Sequence, residues 1–155
     1  MLDNKKHSDN DFWTKLKWPA APNEADYAIF KQYCTGKVLL LGSTQLLLPL
    51  CDEAWDIEPR YTDPKIKQQD WFSLEEHWNT IILDGGLAFG KEFTERLLTI
   101  ILPKCDRFVA RVFLNPSWKT TYAVYFPRAT ELTPQPLEHP INLVYTFYIW
   151  NNLQS

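Results

Sequence analysis

Carboxylates recur in this sequence at the ends of short apolar runs, and a glycine takes the same place after another run. Val38-Leu39-Leu40-Leu41 runs into Gly42-Ser43-Thr44, and Ala54–Ile57 carries Asp56 near its end. Lys65–Gln69 ends at Asp70-Trp71, and Asn79–Leu83 ends at Asp84-Gly85-Gly86. Glycine lets a ligand approach the backbone, and a carboxylate accepts hydrogen bonds from ribose hydroxyls. The set therefore suits a neutral or cationic ligand that carries a ribose. Each member alone is unspecific, because an Asp closing a strand is commonly a turn or cap residue. The order of the four is what carries the reading. Asp63, which precedes Pro64 in an expected loop, is a rival to Asp56 for the ribose.

Other chemistries leave no such mark. His7, His77 and His139 are isolated; His77 beside Glu75-Glu76 reads as an exposed histidine next to a solvated turn rather than a base. There is no GxSxG elbow, no GxxxxGK[ST] loop and no GxGxxG turn, which disfavours a serine hydrolase, a P-loop nucleotide hydrolase and a dinucleotide oxidoreductase. Cys34, Cys51 and Cys105 are odd in number and widely spaced, so neither a disulfide framework nor a metal site is expected. Reduced thiols fit an intracellular, cytoplasmic setting. A formal charge of −3 without a basic stripe argues against a nucleic-acid partner. No run approaches the roughly 18 apolar residues of a membrane helix, and the polar start MLDNKKHSDND lacks a signal-peptide core.

The elements that would position these residues follow from periodicity. A chain of 155 residues with 45% hydrophobic and 23% charged residues is one ordinary domain. Residues 1–11 read as a flexible tail and 12–155 as the domain. A helix is expected from Glu24 to Cys34, capped by Asn23 and ended by Gly36. Ser43 or Thr44 can cap a short segment, Gln45 to Leu50. A second helix is expected from Lys91 to Leu102, closed by Pro103, and a further buried strand over Arg107–Leu114. Unbroken apolar runs alternating with helices predict an α/β fold: a Rossmann-like, mostly parallel sheet with helices on both faces. Ligands of such sheets bind at the carboxyl ends of the strands. Thr121–Phe126 and Ile141–Trp150 have no helix between them and read as an antiparallel strand pair added at the edge. INLVYTFYIW is apolar on both faces, a hazard at an edge; buried centrally it would still leave one neighbouring face uncovered for want of a helix, so a homodimer covering this aromatic surface is expected.

KVLLLGSTQLL over Lys37–Leu47, Gln69-Asp70-Trp71, Leu83–Leu87 and Ala110–Pro116, within a span from about Trp13 to Pro116, resemble segments of class I S-adenosylmethionine (SAM) methyltransferases. Lys37–Leu47, KVLLLGSTQLL, is similar to the VLLLGVTPEL form of their glycine motif in one group of these proteins. Trp18-Pro19-Ala20-Ala21-Pro22 before Asp26-Tyr27 resembles the group's Trp and Pro-rich entry. Gln69-Asp70-Trp71, Leu83–Leu87 and Ala110–Pro116 resemble its GDW, GDGSL and LRVF..P elements. The resemblance implies SAM as cofactor and S-adenosylhomocysteine (SAH) as product. It implies Gly42, Ser43 and Thr44 facing the methionine portion and Asp56 on the ribose. It further implies Asp70 and Trp71 beside the adenine, and Asp84 and Gly85 lining the floor where sulfonium and acceptor meet. A small-molecule acceptor is expected from the charge. The general glycine pattern has several glycines where this chain keeps Gly42 alone, so the alternative is an inactive binding or assembly module with the same fold.

Overall fold

The computed structural model describes residues 24–59, 62–84, 91–114, 129–131, 135–136 and 144–151. Among these, helix α1 (Glu24–Tyr33) precedes strand β1 (Val38–Leu41), a 3₁₀ turn (Gln45–Leu50), β2 (Glu53–Trp55) and β3 (Ile66–Lys67). A second 3₁₀ turn (Trp71–Ser73), β4 (Trp78–Asp84), helix α2 (Lys91–Ile101) and a third 3₁₀ turn (Leu102–Lys104) follow, then β5 (Cys105–Leu114). The remaining strands are β6 (Ala129–Glu131), β7 (Gln135–Pro136) and β8 (Val144–Asn151).

They form one sheet in the order β3-β2-β1-β4-β5-β8-β6, with β7 also paired to β8. The first five strands are mutually parallel; β8 runs antiparallel to β5, β6 and β7. The order reverses between β1 and β4, so their carboxyl ends flank a topological switch point.

The expected α/β architecture is thus present, with one correction. Ile141–Trp150 does not supply an edge strand. Its described part, β8, lies between β5 and β6, paired with β5 from Arg107↔Asn151 to Leu114↔Val144. A run apolar on both faces is what a strand with neighbours on both sides and layers above and below requires. Paired on both sides, β8 presents no open edge along its described length. Thr121–Phe126, Asn23 and the tail lie outside the described residues.

Side-chain alternation splits the core into two layers. Leu39, Leu41, Ile81, Leu83, Phe108 and Ala110 point to one face with Leu97, Leu98 and Ile101 of α2. Val38, Leu40, Ile82, Val109, Phe147 and Ile149 point to the other, with Phe30 of α1. Phe30 meets Phe147 edge-on at 5.0 Å between ring centroids. The central runs Val38–Leu41 and Ile81–Leu83 therefore read as unbroken apolar strings, and the first polar residue after each falls where its strand ends. The third strand is shorter than the expected Lys65–Gln69, because it sits at the sheet margin and pairs only with β2.

Among the described residues no helix is long and apolar enough to cross a membrane.

Candidate functional site

Parallel strands deliver their closing residues to one rim. Gly42 follows β1 with φ +115°, a conformation L side chains rarely adopt, and a Cβ built on it meets nothing within 4 Å. The backbone is bare there and the space beside it is open. Gly42 N donates to Trp55 O at 2.7 Å, which ties the turn to the last residue of β2. Trp71 Nε1 donates to the same carbonyl at 2.7 Å. One carbonyl thus gathers three of the segments singled out in the sequence.

Asp56 stands directly after β2. Its N–H donates to Lys67 O at 3.0 Å, its Oδ1 accepts from Glu58 N at 2.9 Å, and its Oδ2 accepts from Ser43 Oγ at 2.5 Å. Ser43 is buried. Thr44 occupies the cap position of the first 3₁₀ turn without a side-chain cap bond, so the expected capping role is not filled by hydrogen bonding. Neighbouring Ile57 is 40% exposed, one of two large hydrophobic side chains so placed among the described residues. An isolated apolar residue before Glu58-Pro59 carries no periodic signal by which the sequence would mark it.

The rival acid is elsewhere. Asp63 lies before β3, where its Oδ1 accepts from Lys65 N at 2.8 Å and its carbonyl from Ile66 N at 3.0 Å. That is the amino end of the strand, opposite the rim that holds Asp56. His77 is also at the amino ends, exposed, with Nε2 3.0 Å from Asp106 Oδ1. The bond to Asn79 Nδ2, then the one to His77, hold the Asp106 carboxyl below its ordinary value.

Asp70 caps the second 3₁₀ turn, accepting from Phe72 N at 2.9 Å, and is itself exposed. Trp71 is half-buried, edge-on to Phe93 of α2 at 6.2 Å, and Phe93 is edge-on to Phe72 at 5.4 Å. These rings form an aromatic wall on the α2 side of the rim.

Asp84, the last residue of β4, is differently engaged. Arg111 of β5 donates from Nε to Asp84 Oδ1 and from Nη2 to Oδ2, the latter at 3.0 Å; its Nη1 donates to Asp26 Oδ2 of α1 at 2.9 Å. The Arg111 and Asp26 side chains are 2% exposed and that of Asp84 is 4% exposed. Burial pushes the Asp84 carboxyl up from its ordinary value; Arg111 opposes the rise and Asp26 adds to it. Spacing could not reveal this network, whose members stand 27 and 85 residues apart. Residues 85–90 lie outside the described residues, Gly85 among them.

Among the described residues no group of three or more His, Cys, Asp or Glu could hold a metal ion. No family model matches the sequence, and no curated protein does. Solved structures match across most of the chain. Magnesium protoporphyrin IX methyltransferase from Synechocystis PCC 6803 with bound SAM aligns at TM-score 0.58 and 12% identity, over 82% of this chain and 76% of that one. The plantazolicin methyltransferase BpumL, in complex with a triazolic desmethyl analogue and SAH, aligns at TM-score 0.58 and 13% identity, over 96% and 91%. The 23S rRNA methyltransferase ErmE aligns at TM-score 0.54 and 13% identity, over 84% and 69%. The fold is that of the class I methyltransferases.

Proposed function

We propose that this class I methyltransferase fold binds SAM at the carboxyl ends of β1 to β4 and directs its methyl group to a small-molecule acceptor. The observation that carries the reading is the pairing of a bare, positive-φ glycine with an acid one strand away. Gly42 leaves open space beside its backbone, and Asp56 closes the adjacent strand. This combination admits a ligand against the first turn and offers a carboxylate to its sugar.

In this reading Gly42, Ser43 and Thr44 present backbone to the methionine portion, and Asp56 accepts from the ribose. Exposed Ile57 gives an apolar face to the base, while Trp71 and Asp70 border it on the other side. Asp84 lies toward the acceptor. Asp84 acts there as a fixed wall rather than a base, since both of its oxygens already accept from Arg111. SAM supplies a methyl carbon activated by the sulfonium, so the chain's own task is to hold two reactants in line, and no acid–base triad is required. The acidic formal charge of −3 favours a small molecule over RNA. The neighbours by fold include enzymes named for both kinds of acceptor.

The test is thermal. SAH at about a hundred times its Kd should stabilise the native protein by about 2.7 kcal/mol and raise Tm by several degrees. A folded wild type whose Tm does not move at millimolar SAM or SAH would rule the reading out. Binding without turnover on any acceptor panel would leave the inactive binding module in its place.

A further inference from the structure

We propose that Ser43 is a positioning residue for Asp56 rather than a ligand contact, and that the pair leaves the carboxylate with acceptor capacity for one vicinal diol. The inference rests on the SAM reading above and assigns the side chain a role that the backbone reading does not. An ionised carboxylate has about four lone-pair sites. Ser43 Oγ takes one on Oδ2 at 2.5 Å, and Glu58 N takes one on Oδ1 at 2.9 Å. One acceptor site remains on each oxygen, which matches the two O–H donors of a ribose. Ser43 is 6% exposed, so its hydroxyl is committed inside the protein. Asp56 N is held by Lys67 O at 3.0 Å, which fixes the main chain under the same side chain. Held at both oxygens and at its backbone, the carboxylate has little rotational freedom left. A preset acceptor loses less entropy when the diol arrives.

The test uses titration calorimetry of the full chain with SAH and with its 2′-deoxy analogue. Ser43→Ala should weaken SAH about tenfold, as expected for loss of one charge-assisted hydrogen bond. The same substitution should weaken the 2′-deoxy analogue less, about threefold, because Asp56 then serves only one of the two hydroxyls. In the Asp56→Asn background, Ser43→Ala should add almost nothing. Melting curves of each variant confirm that the comparison is between folded proteins. Equal weakening of both ligands, or additivity with Asp56→Asn, overturns the positioning role and makes Ser43 a direct contact or a packing residue. Wild type that binds neither ligand overturns the SAM reading and this inference together. Wild type that binds SAH while Ser43→Ala binds it equally well overturns the inference alone.

Discussion

Two glycines with positive φ separate function from framework at the scale of single residues. Gly42 faces open space, whereas a Cβ on Gly36 (φ +64°) would clash with Asn79 Oδ1. That oxygen accepts from Lys37 N at 2.8 Å, so the clash falls on a bond that closes the amino end of β1 against β4. Gly42→Ala should cost only the backbone strain, about 1–3 kcal/mol, and should weaken SAH more than it lowers stability. Gly36→Ala should cost at least as much in stability and leave SAH affinity per folded molecule unchanged. Urea unfolding and titration of both variants check the contrast; ligand loss in Gly36→Ala would move the site off the carboxyl rim. The glycine turn and Asp56 were legible because apolar runs end abruptly at them. The Ser43–Asp56 bond was not, since 13 residues and a full crossover separate the partners. The same limit hid the engagement of Asp84, whose partner Arg111 stands 27 residues away.

Elements were legible where burial writes itself into composition. The first, fourth and fifth strands and helix α2 match their apolar strings within a residue or two, because both faces of a central strand are covered. Marginal β3 left only two paired residues and a correspondingly weak pattern. What no pattern announced is how α1 is fastened to the sheet. Phe30 docks on the α1-side layer, and Asp26 in the first turn reaches Arg111, which grips Asp84 in turn. Arg111 alternates along β5 with Ala110 and Val112, which point into the α2-side layer, so it points to the α1 face. Arg111→Ala should destabilise the protein by about 3–5 kcal/mol, because it strands buried carboxylates without their cation. Asp26→Asn keeps an acceptor for Nη1 and should cost about 1–3 kcal/mol. In Asp26→Asn the amides of α1 should exchange faster while those of β1 hardly change. Uniform acceleration in both elements would mean that the network sustains the whole sheet instead of one helix.

Across the whole molecule, both layers carry thiols that resist ionisation. Cys105 packs with the α2-side layer, Cys51 with the α1-side layer, and Cys34 lies against the latter. Burial pushes Cys34 and Cys51 to about 11 and Cys105 to about 12. Cys51 adds to the rise at Cys34, and Asp106 adds to it at Cys105. The folded chain keeps these protons above pH 9, where the unfolded chain has released them. Stability is therefore fully present below about pH 9 and falls as pH rises through 9 toward 11–12, the sign set by linkage. Iodoacetamide at pH 8 should alkylate the native thiols about a hundredfold more slowly than a free cysteine, and unfolding should abolish the difference. Fast alkylation of Cys51 in native protein would contradict its burial. The topology also sets the order in which the fold can be made. Strand β8 fills the slot between β5 and β6, yet every other described strand leaves the ribosome before it. At roughly 5–20 residues per second, residues 115–143 between β5 and β8 hold the long flank of β5 open for seconds during synthesis. That interval makes the nascent chain, rather than the finished protein, the form most exposed to strand-for-strand capture by a neighbouring copy.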